Sequence, residues 1–254
     1  MFRIEPTYQD LLRRAGIADA WSVFENPRIR VWRSIIEREN ATLDVPAADG
    51  SITRLHIKRD KEPQHESSAG AEAAHLLALS NRGIPTPPLV AYGKLPDGRS
   101  FVITEDLHGY AAADRQIAAG AMTFGDLLEP VALLAGRLHG SAAFHRDLYL
   151  CHFFVRRRAD GVDVRLIDCA RVLIKPFWRR RWQIKDLAQF TYSTREHSVS
   201  PVELDRWFEV YGAALGRAVS PSARRMIDLK ADWIARHDAV LRRRQPERNV
   251  AIPD

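Results

Sequence analysis

FHRDLYLCHFFV, residues 144–155, is the stretch on which the reading of this chain turns. Ahead of it, residues 124–141 (FGDLLEPVALLAGRLHGS) space leucine and alanine as an amphipathic helix does. Behind it come two short apolar runs, CHFFVRR and VDVRLID, parted by the turn RADG, the pattern of a β-hairpin. Asp147 therefore stands on a loop between a helix and a hairpin. A second aspartate, Asp168, closes the hairpin 21 residues later.

Working outward, the upstream half reads as strand-rich. Residues 29–59 carry IRVWRSIIER, a polar turn around AADGS, and ITRLHIKR with alternating apolar positions. Residues 68–80 (SAGAEAAHLLALS) read as a helix ended by Asn81-Arg82-Gly83, and IPTPPLVAYG leaves it extended. LPDGRS is a hairpin turn into the strand FVITEDL. The order is strand, strand, helix, strand, strand, and helical patterning dominates after about residue 110. The expectation is an α+β, two-lobe fold: an N-terminal extension over 1–28, a strand-rich lobe over 29–109 and a helical lobe over 110–254. Such lobes leave a cleft where ligands bind.

His-Arg-Asp after a helix and before a short strand is the catalytic-loop pattern of the protein kinases, whose aspartate orients or deprotonates the attacking hydroxyl. The position five residues later faces the metal and is there an asparagine; here it is His152. An imidazole can bind a divalent cation but suits Mg²⁺ less well than an amide oxygen. Asp168, at a strand end behind the loop, occupies the place of the Mg²⁺ ligand, followed by Cys169-Ala170 instead of Phe-Gly. Lys58 ends the strand LHIK, where a lysine holds ATP phosphates, and Glu72 lies in the next helix, where a carboxylate pairs with that lysine. Residues 104–107 (TEDL), with Glu105 and Leu107, fall where a hinge offers backbone groups to adenine. Taken singly each residue has an ordinary structural reading; their order on the right elements points to a kinase-like fold using ATP and Mg²⁺. One part is missing. No GxGxxG precedes Lys58, and Gly50 in PAADGS is the sole glycine between residues 17 and 69, which argues against a protein substrate more than against ATP.

The block FHRDLYLCHFFV, with HRD-x-Y-x-C-H, resembles the bacterial lipopolysaccharide core kinases, which phosphorylate Kdo or heptose of the inner core. LIDCAR (residues 166–171), KDLAQFTYS (185–193) and EAAHLLALSNRGIPTPPLVAYG are similar to that family's segments, so the resemblance covers roughly residues 30–215. It implies that Lys58 binds ATP phosphates, Glu72 pairs with it, Asp147 orients or deprotonates the sugar hydroxyl, His152 and Asp168 lie at the metal, and Asp186 supports the catalytic loop. Arg146 and Arg171 either steady neighbouring loops or touch the acceptor.

Composition sets the outer limits. The 254 residues are 46% hydrophobic and 28% charged, an ordinary core-forming balance. No apolar run approaches a membrane span, and the first residues show no secretion signal, so a cytoplasmic protein is expected. Cys151 and Cys169 are too few for a disulfide framework. Lys+Arg number 38 against 32 Asp+Glu, and all but six of the cations are arginine, which pairs bidentately with phosphate. In residues 175–182, KPFWRRRW, aromatics interleave with four cations. That composition meets anionic headgroups on the inner face of the inner membrane, or it is a solvated basic face with its tryptophans tucked inward. Nucleic acid is less favoured, since no recognition module accompanies the patch. The alternatives to a lipopolysaccharide kinase are a small-molecule kinase of the aminoglycoside or choline type and a catalytically silent kinase fold.

Overall fold

In the computed structural model, which describes residues 1–47, 49–63 and 68–244, alternation along one strand explains how the small lobe is built. The chain starts with β1 (Phe2–Ile4), α1 (Gln9–Ala15) and α2 (Ser22–Glu25), then forms β2 (Arg30–Ser34), β3 (Arg38–Pro46) and β4 (Ile52–Asp60). After α3 (Ala69–Ser80) come β5 (Leu89–Lys94) and β6 (Ser100–Glu105), and the six strands lie in the order β1-β5-β6-β4-β3-β2 with antiparallel pairings. Successive strand side chains point to opposite faces. In β4, Leu55 and Ile57 are buried with Leu43 and Val45 of β3 and Phe101 and Ile103 of β6. Arg54, His56 and Lys58 therefore share the other face, which looks toward α3 and the large lobe.

The apolar outer face is covered by the first 28 residues. Leu11, Leu12 and Ala15 of α1, with Ile17 and Val23, complete a buried cluster against Leu43, Leu55 and Phe101. Phe2, Arg3 and Ile4 pair with Gly93, Tyr92 and Ala91 of β5. The segment expected to stand as an extension is thus built into the small lobe, because a sheet with two faces needs a cover on each. Gly16, at φ 73°, ends α1: its N–H donates to the Arg13 carbonyl, and the Ile17 N–H to the Leu12 carbonyl.

Two details of the strand reading change. IRVWRSIIER is not one strand: β2 stops at Ser34, and the chain reverses through residues 35–37 into β3. β3 contains ENATLDVP, whose buried Ala41, Leu43 and Val45 alternate with polar Asn40, Thr42 and Asp44. The AADGS turn does connect two strands, β3 and β4, with Gly50 at φ 84°; Ala48 within it lies outside the described residues. That turn sits at the Pro46–Ile52 end of the hairpin, whereas Lys58 pairs with Asn40 near the other end. The turn that carries Gly50 is therefore remote from Lys58, and the turn beside Lys58 is residues 35–37.

The large lobe begins with β7 (Ala111–Ala112), α4 (Ala113–Ala118) and α5 (Phe124–Gly140). α5 starts with a capping box in which Thr123 and Asp126 exchange hydrogen bonds with each other's backbone. Then follow β8 (Ala143–Phe144), the hairpin of β9 (Phe153–Arg158) and β10 (Gly161–Leu166), and β11 (Leu173–Ile174), which pairs with β8. The helices α6 (Arg179–Thr194), α7 (Pro201–Leu215) and α8 (Pro221–Arg244) close the lobe. Its core stacks Phe190, Trp207 and Tyr211, and α5 meets α7 at Gly136. Among the described residues no helix is long and apolar enough to cross a membrane. The basic segment ARHDAVLRRRQPERN (residues 235–249) is helical as far as Arg244, and its remainder lies outside the described residues.

Candidate active site

Lys58 anchors the site from the small lobe. Its ammonium donates to both oxygens of Glu72, at 2.7 and 2.9 Å, and to Asp168 Oδ1 at 3.0 Å. α3 is set for this by its first turn. Ser68 caps it by accepting from Ala71 N–H, while buried Asp60 at the end of β4 accepts from Ala69 N–H and from the Ser100 hydroxyl. The helix start is thus tied to the strand that carries Lys58, and Glu72 faces the lysine. Burial works against the charge on Lys58, but Asp168 and Glu72 outweigh it and hold the ammonium above its ordinary pKa. Lys58 in turn holds the Asp168 carboxyl far below the usual carboxylate range.

Asp168 adopts φ 56°, ψ 56°, the left-handed region that aspartate enters more readily than most residues. It comes two residues after the end of β10 and turns the chain so that its carboxylate points back at Lys58.

The loop at residues 145–152 is held by buried Asp186 of α6, whose carboxylate accepts from the backbone N–H groups of His145 and Arg146 at 2.7 Å each and lies 3.2 Å from His139 Nε2. Arg146 is left-handed, at φ 71°, and its guanidinium lies over Trp182. His145, kept neutral by burial, donates from Nε2 to the Ile167 carbonyl at 2.9 Å. This links the loop to the residue before Asp168. Asp147 accepts from Gln189 Nε2 and Arg171 Nη1, each at 3.2 Å, with Lys185 Nζ at 3.9 Å. Arg171 therefore touches Asp147, and Lys185 also donates to the Arg146 carbonyl.

His152 lies between the two aspartates. A carbonyl only accepts, so the 2.6 Å contact of Nδ1 with the Asp147 carbonyl oxygen puts a proton on Nδ1 and turns Nε2 toward Asp168, at 3.9 Å. Burial lowers the His152 pKa, but the Cys151 sulfur, the Asp168 carboxylate and the Asp147 carbonyl push it up to about 9.

Lys58, Glu72, Asp147, His152 and Asp168 thus fall in one cleft. Glu105 and Leu107 lie at the strand end beside it, and the Glu105 carboxylate accepts the Tyr8 hydroxyl at 2.6 Å, pointing to the N-terminal segment. The Leu107 carbonyl accepts from Tyr110 N–H. Between them Asp106 meets His56 Nε2 at 2.7 Å, which holds the Asp106 carboxyl below its usual range. His56, Arg38 and Gln189 escape the sequence reading. The signal for His56 was present in strand alternation, since it stands two residues from Lys58; Arg38 and Gln189 carry no local signal.

As a donor set for a cation, Asp168 with His152 Nε2 is sparse, and among the described residues no three His, Cys, Asp or Glu side chains gather as a metal site. Mg²⁺ keeps several waters and takes one or two carboxylates together with substrate phosphates, so this pair fits an ion that arrives with a nucleotide.

On the next turn of chain, Phe177 and Trp178 are 93% and 66% exposed, flanked by exposed Arg179, Arg180 and Arg181. Trp182 behaves differently: it is sandwiched by Arg146 and Arg181 at 4.9 and 5.0 Å from its ring.

The profile of the lipopolysaccharide kinase (Kdo/WaaP) family matches residues 25–211, about three quarters of the chain. The lipopolysaccharide core heptose(I) kinase WaaP of Escherichia coli K12 is 30% identical over 147 residues, 52% of this chain and 56% of that protein. Its Pseudomonas aeruginosa counterpart is 28% identical over 147 residues, 52% and 55% of the two chains. The match spans about half the length of these curated relatives. A solved structure, WaaP in complex with acyl carrier protein, has a TM-score of 0.68 at 22% identity and covers 96% of this chain and 98% of that one, which shows a shared protein-kinase-like fold. With its Lys–Glu–Asp cluster and its HRD loop set in that fold, this chain belongs to the lipopolysaccharide kinase (Kdo/WaaP) family.

Proposed function

We propose that the chain is an ATP-dependent kinase that phosphorylates a sugar hydroxyl, Kdo or heptose, of the lipopolysaccharide inner core or a related glycolipid. The observation that carries this reading is the convergence of Lys58, Glu72 and Asp168 opposite a loop that presents Asp147 and His152. Phosphoryl transfer depends on positioning and charge neutralisation more than on covalent help from the protein. Lys58, fixed by Glu72, binds nucleotide phosphates. Asp147, steadied by Gln189 and Arg171, orients the acceptor hydroxyl and takes its proton as the sugar oxygen bonds to the γ-phosphorus and ADP departs. Asp168 and His152 are the residues that would hold Mg²⁺, which when bound would supply neutralisation of phosphate charge. Glu105 and Leu107 contribute backbone groups beside the base.

The acceptor sits in a membrane leaflet, and the exposed Phe177-Trp178 pair beside three arginines suits the anionic surface there. That reading supports a cytoplasmic enzyme bound peripherally at the inner membrane.

The test is transfer of label from γ-³²P-ATP to purified lipid A–core by wild type, Asp168→Ala and Asp147→Ala. Label with wild type only is expected, and Asp147→Ala should keep nucleotide binding while turnover falls by a factor of about 100 or more. Absence of label from a wild type that binds ATP would overturn the acceptor assignment. Full activity in Asp147→Ala would overturn the role of the loop.

A further inference from the structure

The turn beside Lys58 lacks the glycines through which a phosphate-covering loop usually offers its backbone N–H groups. Residues 35–37 are instead pinned from within. Ile35 N–H donates to the Arg38 carbonyl at 2.9 Å, and Lys61 N–H donates to the Glu37 carbonyl at 2.9 Å. The Lys61 ammonium donates to Ser34 Oγ and to the Ile35 carbonyl, both at 3.0 Å. These bonds fix the shape of a turn that has no glycine, and the first side chain beyond it is a cation.

The next residue is Arg38, which opens β3. It stands two residues from Asn40, the strand partner of Lys58, so alternation puts it on the cleft face. Its side chain is 19% exposed, and Nη1 lies 3.9 Å from Glu72 Oε2, beyond hydrogen-bonding distance, while Lys58 holds that carboxylate at 2.7 and 2.9 Å. Glu72 therefore belongs to Lys58, and the Arg38 fork is left beside it, at the mouth of the same cluster. An arginine fork matches the geometry of phosphate oxygens and makes charge-assisted, bidentate hydrogen bonds.

We propose that Arg38 is a second phosphate-binding cation, its guanidinium doing at this site what backbone N–H groups of a glycine loop do elsewhere. The inference rests on the ATP-kinase reading and assigns a role to a residue outside the catalytic-loop, Asp168 and Lys58–Glu72 segments described above.

Calorimetric titration of the full chain with adenosine, ADP, ATP and inorganic tripolyphosphate separates the possibilities, using wild type, Lys58→Ala, Arg38→Ala and Arg38→Lys. Loss of Arg38 should weaken ATP and tripolyphosphate about tenfold or more, weaken ADP less, and leave adenosine unchanged. Arg38→Lys should recover part of the loss. Equal weakening of adenosine and ATP would show that Arg38 only supports Glu72, and unchanged ATP and tripolyphosphate affinity would show that it touches no phosphate; either result overturns the inference alone. A wild type that binds neither ATP nor tripolyphosphate would overturn the kinase reading itself. Arg38→Gln, which is shorter but keeps the aliphatic stem and a polar amide without the charge, serves if the alanine variant does not fold, and the same outcomes apply to it.

Discussion

At His152 the two ring nitrogens have separate tasks: Nδ1–H fixes the ring on the Asp147 carbonyl, and Nε2 faces Asp168. A histidine in an unfolded chain titrates near 6.5, and in this fold the value is pushed up to about 9. The imidazolium's contribution to stability is therefore complete below about pH 6.5 and lost as pH rises through 9. Protein free of nucleotide and metal should lose on the order of 1–3 kcal/mol across that window. His152→Gln should flatten the slope in urea denaturation run at a series of pH values, and an unchanged slope would mean that the ring is neutral in the apoprotein. His75 and His145, both lowered by burial, act in the opposite sense below about pH 6.5. That these residues would share one cleft was legible residue by residue, because a lysine, two aspartates and a glutamate at given places have few equivalents. The residues around them were not, since Arg38 reaches the cluster through the register of β3 on β4 and Gln189 reaches Asp147 across 42 residues of chain.

Elements tell the same story in packing. α5 and α7 approach so closely that a Cβ on Gly136 would lie 2.5 Å from Ala214 Cβ and 2.8 Å from the Tyr211 carbonyl oxygen. Alanine at a helix interior gains about 1 kcal/mol over glycine, but overpacking a filled contact costs about 1–3 kcal/mol. Gly136→Ala should therefore destabilise the protein by up to about 2 kcal/mol in thermal or urea denaturation; a stabilised variant would show that the two helices separate at low cost. The helix carrying Glu72 was readable from its cap and its apolar face, whereas β3 was not. Its cleft-facing positions are Asn40, Thr42 and Asp44, and Asn and Asp are weak strand formers, so the buried alternation of Ala41, Leu43 and Val45 is hidden among polar residues.

For the whole molecule, the first residues form part of the architecture. Leu12 of α1 is fully buried, and Leu12→Ala should cost about 2–5 kcal/mol in urea denaturation, against a few tenths for a residue on a loose extension. On the opposite side of the functional problem, replacing Phe177 and Trp178 together by serine should reduce co-sedimentation with anionic phosphatidylglycerol vesicles and leave ATP binding intact. Equal sedimentation of the double variant would remove the membrane role of that loop. The pairing of Phe2–Ile4 with β5 also bears on how the protein is made. Their partner strand, residues 89–94, is made nearly 90 residues after them, about 5–20 s later at ordinary elongation rates. Until then α1 has only the β3–β4 hairpin, with Leu43 and Leu55, to cover, and Phe101 of β6 follows later still, so the small lobe closes late in synthesis and the nascent chain is in that interval a natural client for a chaperone.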